Sequence, residues 1–325
     1  MKGTLVNRPS HRTSWALLST TALLLTGAGC KVVEENCDFW TEQLGKPKRQ
    51  KEAIEKIGEM KCQGALPQFE ALLPDTFYQR ELLDAVKAMG PGDGTIAIIK
   101  KAIDDEDVGP YAQKIAFDWK VPGLEGILSG LVQSPKALDR RREVLAQLLE
   151  IASADKAVDT LIWLVGQDPT QQGIETNQLA AKRLASVDWS QIPPEKATVA
   201  AQSLVRALFM KDGRGAAAQL DARLALRALG SPAVGPLLAA YAGDDVELNE
   251  IAESRGVPRW RYTHGHELVE LLWDLGDKQA SRPLMASIGL SLDEPPDVAR
   301  LEEEEKLEWL KANQNRLATI AMAVG

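Results

Sequence analysis

The sequence predicts an all-α protein built from pairs of helices. Three observations support this fold class: apolar residues recur at helical spacing, helix-stop glycines follow apolar residues, and no stretch shows the sustained alternation of a β-strand. In the segment 136–167, for example, Val144, Leu145, Leu148 and Leu149 fall on one helical face. We therefore expect the regular elements of this protein to be helices.

Recurring glycines mark the predicted helix ends, because a glycine after the last apolar residue adopts the left-handed conformation at little cost. The pairs of apolar residue and glycine are Ile57-Gly58, Met89-Gly90, Leu229-Gly230, Leu275-Gly276 and Val324-Gly325. A short polar turn and a second apolar segment follow the first four pairs. Further helical hairpins are predicted at about 109–133, 136–167 and 175–211.

This pattern resembles HEAT repeats, which are helical hairpins of about 40 residues. Gly58 and Gly90 are 32 positions apart, and Gly230 and Gly276 are 46 positions apart. The resemblance covers about residues 47–325 and implies an armadillo-like α-solenoid of stacked hairpins, with a right-handed superhelix. Because no second helix follows the first helix that Gly325 closes, either that helix caps the solenoid or the chain is truncated there.

Residues 1–29 have the order of a secretory signal peptide and are set apart from the fold. Lys2, Arg8 and Arg12 form a basic start, and an apolar stretch at 15–25 and four small residues precede Cys30. The apolar stretch is shorter than the roughly 20 residues that a membrane-spanning helix needs.

The segment that ends at Cys30, Gly27-Ala28-Gly29-Cys30, resembles the lipobox of bacterial lipoproteins, although Gly27 stands where leucine is usual. The resemblance implies that Cys30 is lipidated, that residues 30–46 form an anchor and linker, and that acyl chains hold the protein on an envelope bilayer. Lys31, where an aspartate would retain the protein at the inner membrane, implies the outer membrane instead. The alternative is a plain secretory signal that leaves Cys30 as a free thiol.

Cys37 and Cys62 are expected to form a disulfide bond, because export implies an oxidising compartment. The bond would tie the segment after the anchor to the first helical hairpin. The alternative is a pair of buried free thiols.

The charge balance argues against nucleic acid as a partner. Without residues 1–29, 35 lysines and arginines face 46 aspartates and glutamates, a formal net charge of −11. Proteins that bind nucleic acid gain affinity by neutralising phosphates, which an acidic body does not do.

The end of a long insertion at about 243–262 is the best candidate for binding a partner, which we expect to be an envelope protein or peptide. Its residue types are enriched at interface hot spots, and they stand together in an acidic chain that is poor in aromatic residues. The alternative is that the tryptophan packs onto a helix beginning near His264, while Trp273 is expected to be core or half-buried. The candidate residues are Arg259, Trp260, Arg261 and Tyr262.

Catalytic signatures such as a P-loop, a nucleophile elbow or paired cysteines are missing from the sequence. The nearest metal pattern is His266-Glu267-x-x-Glu270, in which His266 and Glu270 would share one helix face. Because leucines at 268, 271 and 272 mark an ordinary packing helix, we predict no metal, no cofactor and no enzymatic activity.

Three classes of function remain open from the sequence. The first is a membrane-tethered scaffold that binds an envelope protein through the solenoid surface or its inter-repeat loops. The second is a structural spacer or assembly component of an envelope complex. The third is a metal-dependent hydrolase or lyase on the same scaffold, centred on His266, Glu267 and Glu270.

Overall fold

The computed structural model describes residues 36–75, 77–254 and 260–276, together with Leu284 and scattered positions between 307 and 321. Over these residues the protein is all-α, as the sequence predicts, with sixteen α-helices and no β-strand. The segment predicted at 1–29, Cys30 and Lys31 lie outside the described residues.

The helices are numbered in chain order. Their bounds are α1 Cys37–Gln43, α2 Gln50–Met60, α3 Leu66–Leu72, α4 Gln79–Met89, α5 Asp93–Ala102, α6 Gly109–Asp118, α7 Leu124–Gln133, α8 Arg141–Ile151, α9 Val158–Val165, α10 Pro169–Gln172, α11 Ile174–Leu184, α12 Pro194–Ala207, α13 Gln219–Leu229, α14 Val234–Ala242, α15 Val246–Ser254 and α16 Trp260–Leu275. Short 3₁₀ turns precede α3, α8, α12 and α14. The hairpins predicted at 109–133 and 175–211 correspond to α6–α7 and α11–α12.

Each hairpin consists of a first and a second helix. First helices contact other first helices along the chain, and second helices contact other second helices. Among first helices, α2 packs on α4, α11 on α13, and α13 on α16; among second helices, α3 packs on α5, α7 on α9, and α12 on α14. Each second helix from α5 onward also packs on the first helix of the next pair. One continuous core therefore extends from Trp40 to Leu284.

Helices α2 and α4 show how the sequence produces equivalent first helices. Each opens with a glutamine whose Nε2 donates to a carbonyl at the end of the preceding helix: Gln50 to Leu44 O at 3.1 Å and Gln79 to Leu73 O at 2.9 Å. These bonds satisfy carbonyls that a helix end leaves without an intrahelical partner. Behind each glutamine, aliphatic side chains such as Ile54 are fully buried.

The helix end predicted at Gly58 is wrong. Helix α2 continues to Met60, and Lys61 rather than Gly58 adopts the left-handed conformation, with φ 55°. A Cβ at Gly58 would lie 2.7 Å from the Cα and Cβ atoms of Ala85 in α4, so this glycine permits close helix packing. The predicted ends at Gly90, Gly230 and Gly276 are confirmed by positive φ angles of 84°, 75° and 62°, and Gly325 lies outside the described residues.

Two glycine substitutions are expected to change stability in opposite directions. Gly58→Ala should lower the free energy of unfolding by about 1–3 kcal/mol, because α2 and α4 must separate. Gly130→Ala in α7 should raise it by about 0.5–1 kcal/mol, since alanine favours the helix and its Cβ meets no atom within 4 Å. Urea unfolding of both variants beside the unmodified protein measures the two shifts, and shifts of the same sign would contradict this account.

A chain of buried polar side chains connects α7 to α11. Arg141 is 6% exposed; its Nε donates to Val132 O at 2.7 Å and its Nη1 to Gln172 Oε1 at 3.0 Å. Gln172 Nε2 in turn donates to Asn177 Oδ1 at 2.9 Å, and Asn177 Nδ2 donates to Gln167 O at 2.9 Å. Burial lowers the pKa of Arg141, whose charge is compensated by carbonyls at the end of α7 rather than by a carboxylate.

The segment expected to be a linker holds helix α1, which packs against α2. Trp40 and Leu44 at this end are 1% and 2% exposed. Cys37 and Cys62 form a disulfide bond, with Cα atoms 5.5 Å apart, that joins α1 to the turn after α2. The core therefore begins before residue 47.

Within the described part of the chain, no single helix is both long enough and apolar enough to cross a membrane. The segments Gln219–Leu229 and Ser231–Ala242 meet the length and composition criteria only when taken together, and they are bent by 119° relative to each other.

Candidate partner-binding face

Helix α16 extends further towards the N-terminus than the sequence predicts. It begins at Trp260 instead of near His264, so Trp260, Arg261 and Tyr262 belong to its first turn. Their side chains, and the whole of Arg259, lie outside the described residues. The structure therefore places the backbone of this candidate group at the start of α16 but leaves its contacts open.

The insertion at 243–262 also contains a helix that the sequence reasoning missed, α15. Asp245 Oδ1 accepts a hydrogen bond from Leu248 N at 3.0 Å, which caps the start of this helix. Leu248 and Ala252 occur at i and i+4 and are buried. Because α15 has only nine residues, its helical period is too short to stand out from the sequence alone.

A seam of polar pairs joins α13 to α16, which run parallel. Gln219 Nε2 donates to Glu267 Oε2, Arg223 Nη2 lies 3.0 Å from Glu270 Oε2, and one turn further Arg227 Nε lies 2.9 Å from Asp274 Oδ2. The pairs advance one helical turn at a time, since residues three or four positions apart share a helix face. The seam fixes the rotation of both helices about their axes.

Large apolar side chains flank this seam and are exposed. Leu220 and Leu224 on α13 are 72% and 46% exposed, and Trp273 on α16 is 50% exposed. The buried side of α13 is formed by other residues, such as Leu226 and Leu229, so Leu220 and Leu224 point away from the core. We call these three residues and the seam between them the outer face.

The position of Trp273 corrects an expectation, because the sequence reasoning placed it in the core or half-buried. Its neighbours Leu271 and Leu272 face the core with at most 1% exposure, which turns residue 273 outwards on the same helix. The leucines of α13 are a sequence signal for an exposed apolar face. Leucines at 220, 224, 226 and 229 cover more of the helix circumference than one buried face requires.

The residues of the nearest metal pattern, for which no metal is predicted, are mostly engaged in the seam. Glu270 pairs with Arg223, and Glu267 accepts a hydrogen bond from Gln219. His266 is half-buried, and its Nδ1 has no hydrogen-bond partner among the described atoms. In the described ranges no three histidine, cysteine or acidic side chains come together as metal ligands.

A cleft of about 390 Å³ lies between α12, α14 and the start of α15. Its charged groups bind each other, since Arg206 pairs with Asp245 at 3.2 Å and also contacts Glu247. The Asp245 side chain is only 7% exposed. These ion pairs therefore attach the start of the insertion to α12.

A groove of about 580 Å³ lies between α5 and α7. Gly123, Gly126 and Gly130 line one side, and added Cβ atoms at these positions would meet no atom within 4 Å. Lys100 and Asp104 stand at the α5 side. The groove exists because α5 and α7 do not pack closely, in contrast to α3 with α5 and α7 with α9.

Comparison of the chain with protein-family models, curated proteins and solved structures gives no match. The structure by itself establishes the all-α fold class. The HEAT and lipoprotein resemblances stay predictions.

Proposed function

We propose that the protein is a membrane-tethered interaction scaffold of the bacterial cell envelope. Its hairpins form a HEAT-like α-solenoid with a right-handed superhelix, and its outer face binds an envelope protein or peptide. The observation that carries this proposal is the exposure of Leu220, Leu224 and Trp273 beside an ordered arginine seam.

The pattern of helix contacts supports the solenoid. Because each described hairpin packs on the next one along the chain, no hairpin between α1 and α16 covers the solvent-facing side of another. Proteins of this architecture use such extended surfaces for binding.

The composition of the outer face supports partner recognition. Tryptophan and arginine dominate interface hot spots, and burial of apolar area contributes about 25 cal/mol per Å². Arg223 and Arg227 are already held by Glu270 and Asp274, so little side-chain entropy remains to be lost on binding. The outer face adjoins the helix that begins with Trp260, Arg261 and Tyr262.

The proposed tether lies at the opposite end of the chain. Acylated Cys30 would hold α1 near a bilayer, for which the outer membrane is proposed. Helix α13 follows five hairpins later along the chain, and α16 follows six hairpins later. A scaffold of this kind presents its partner at a distance from the lipid.

The proposal predicts a partner that is lost when the outer face becomes acidic. We expect Leu220→Glu with Leu224→Glu to weaken partner binding by about 30-fold or more, the effect of losing a hot spot of about 2 kcal/mol. A photo-crosslinking amino acid at Asp221, followed by purification and mass spectrometry from cells, would identify the partner. The affinity for the purified partner would then be compared between variants.

Val199→Glu is the matched control, since Val199 on α12 is 50% exposed and is not one of the residues of the outer face. A Cys30→Ala chain, compared in the same cells, shows whether partner capture depends on the tether. Capture that is unchanged in the double glutamate variant would refute the outer face as the binding site. Absence of any crosslinked partner from an abundant, acylated protein would favour the spacer instead.

A further inference from the structure

The turns before α2, α4 and α6 lie side by side along one edge of the stack. Lys51 Nζ in the first turn of α2 lies 3.0 Å from Glu81 Oε1 in the first turn of α4. Gln79 Nε2 at the start of α4 lies 3.3 Å from Asp105 Oδ2 in the turn before α6. We call the turns 44–49, 73–78 and 103–108 the turn edge.

The first turn of this edge is basic within an acidic protein. The segment 46–51 carries four basic residues and no acidic one. Lys46 and Lys48 are exposed, and neither has an ion-pair partner among the described residues. Arg49 and Lys51 are paired with Glu52 and Glu81, each at 3.0 Å, so the two lysines carry the surplus charge.

The second turn presents an aromatic side chain to solvent. Phe77 is 94% exposed, and its ring forms a T-shaped pair with the ring of Tyr78, with the ring centroids 5.7 Å apart. Arg80, the second residue of α4, lies over the Tyr111 ring, with its Cζ 3.3 Å from the ring centroid. An exposed phenylalanine on the same edge as exposed lysines is the combination that interfacial lipid-binding surfaces use.

The third turn reverses the charge. Asp104, Asp105, Glu106 and Asp107 follow one another there, and Asp105 caps the turn by accepting from Val108 N at 3.0 Å. The turn edge therefore changes from basic, through an aromatic turn that holds the single exposed carboxylate Asp75, to acidic as it moves away from α1.

We propose that the first two turns of the turn edge lie against anionic phospholipid head groups, with Phe77 in the interfacial layer and the acidic third turn held away. This inference rests on the proposed tether, which brings the edge to a bilayer. The surface thereby sets the orientation of the stack, with its first hairpin at the membrane.

The tether is long enough for this contact. Seven residue steps separate Cys30 from Cys37, so the Cα atoms of these two cysteines can be at most about 25 Å apart. Helix α2, which separates the disulfide from the turn edge, has 11 residues and is about 16 Å long. The edge can therefore reach the bilayer that holds Cys30.

The net negative charge of the protein does not oppose this contact at physiological salt. Charges separated by more than about 8 Å are largely screened there, so the acidic residues of the hairpins beyond the third turn contribute little at the first turn. Anionic lipid attracts each nearby lysine independently, with an equilibrium gain of about fivefold per residue.

The experiment is vesicle flotation of the mature chain, residues 30–325, with Cys30→Ala so that no acyl chain contributes. Vesicles of phosphatidylcholine with 30% phosphatidylglycerol are compared with vesicles of phosphatidylcholine alone. We expect binding only to the anionic vesicles, weakened about 20-fold by Lys46→Ala with Lys48→Ala and about fivefold by Phe77→Ser.

The matched control is Lys114→Ala with Lys182→Ala, which removes the same charge from exposed positions outside the turn edge. Equal weakening by the two lysine pairs, or equal binding to both kinds of vesicle, overturns the proposal. Loss of a crosslinked protein from the Lys46 and Lys48 variant without loss of vesicle binding also overturns it, in favour of an acidic protein partner. Because no acyl group takes part, failure here is distinct from failure of the tether or of the outer face.

Discussion

Replacement of both disulfide cysteines by alanine, Cys37→Ala with Cys62→Ala, is expected to lower the free energy of unfolding by about 3–4 kcal/mol. The sequence separation of 25 residues sets this magnitude in the chain-entropy model, because the bond removes conformations from the unfolded chain. The loss should concentrate in the first hairpin, since α1 buries Trp40 against α2 and contacts few other elements. Urea unfolding and amide hydrogen exchange of α1–α3 measure the global and local effects.

Reduction supplies the control for this prediction. The unmodified protein in reductant should have the unfolding midpoint of the double variant, and the double variant should not respond to reductant. Both measurements use the Cys30→Ala background, which prevents a third thiol from pairing with the others. An unchanged midpoint in both cases would mean that the bridge does not constrain the unfolded chain.

Asn177→Ala is expected to cost about 3 kcal/mol or more, because one buried amide serves several partners. Asn177 is 1% exposed, and its Nδ2 donates to the carbonyl oxygens of Leu164, Val165 and Gln167 at 3.3, 3.3 and 2.9 Å. Each buried polar group left without a partner costs about 1–3 kcal/mol. The variant also removes the acceptor for Gln172.

The neighbouring residue gives a matched comparison. Gln178 is half-buried and makes one bond to Ala217 O at 3.1 Å, so Gln178→Ala is expected to cost about 1 kcal/mol or less. Thermal or urea unfolding of both variants measures the difference between them. If the two substitutions cost the same, the buried polar chain contributes no more than a surface hydrogen bond.

The all-α class and most hairpins could be predicted because each depends on a local period of apolar residues and on glycine at a turn. Gly90 and Gly230 end their helices as predicted, since a positive φ angle at a helix end is a local requirement that glycine meets at little cost. Gly58 does not end a helix. It is small because Ala85 of α4 packs directly against it. A close contact between two helices does not change the spacing of apolar residues in either helix, so the sequence of one helix does not reveal it.

The candidate site was only partly within reach of the sequence for the same reason. Composition pointed to Trp260 and its neighbours, and the structure starts α16 there. Leu220 and Trp273 become candidates only once the rotation of α13 and α16 is known, since apolar residues on a helix are normally assigned to the core. Lys46 and Phe77 gain meaning only when α2 and α4 are seen to place their turns together.

The loose approach of α5 and α7 has a mechanical consequence. In the proposed function, lipid holds the protein at one end and a partner holds it at the other, so the protein would carry tension along its length. Tension opens the joint with the weakest cohesion first. The second helices on either side, α3 with α5 and α7 with α9, are packed together, whereas α5 and α7 leave a glycine-lined gap. The protein therefore has a compliant joint between its second and third hairpins, and stretching it by optical tweezers should give an early extension at that joint before the hairpins unfold.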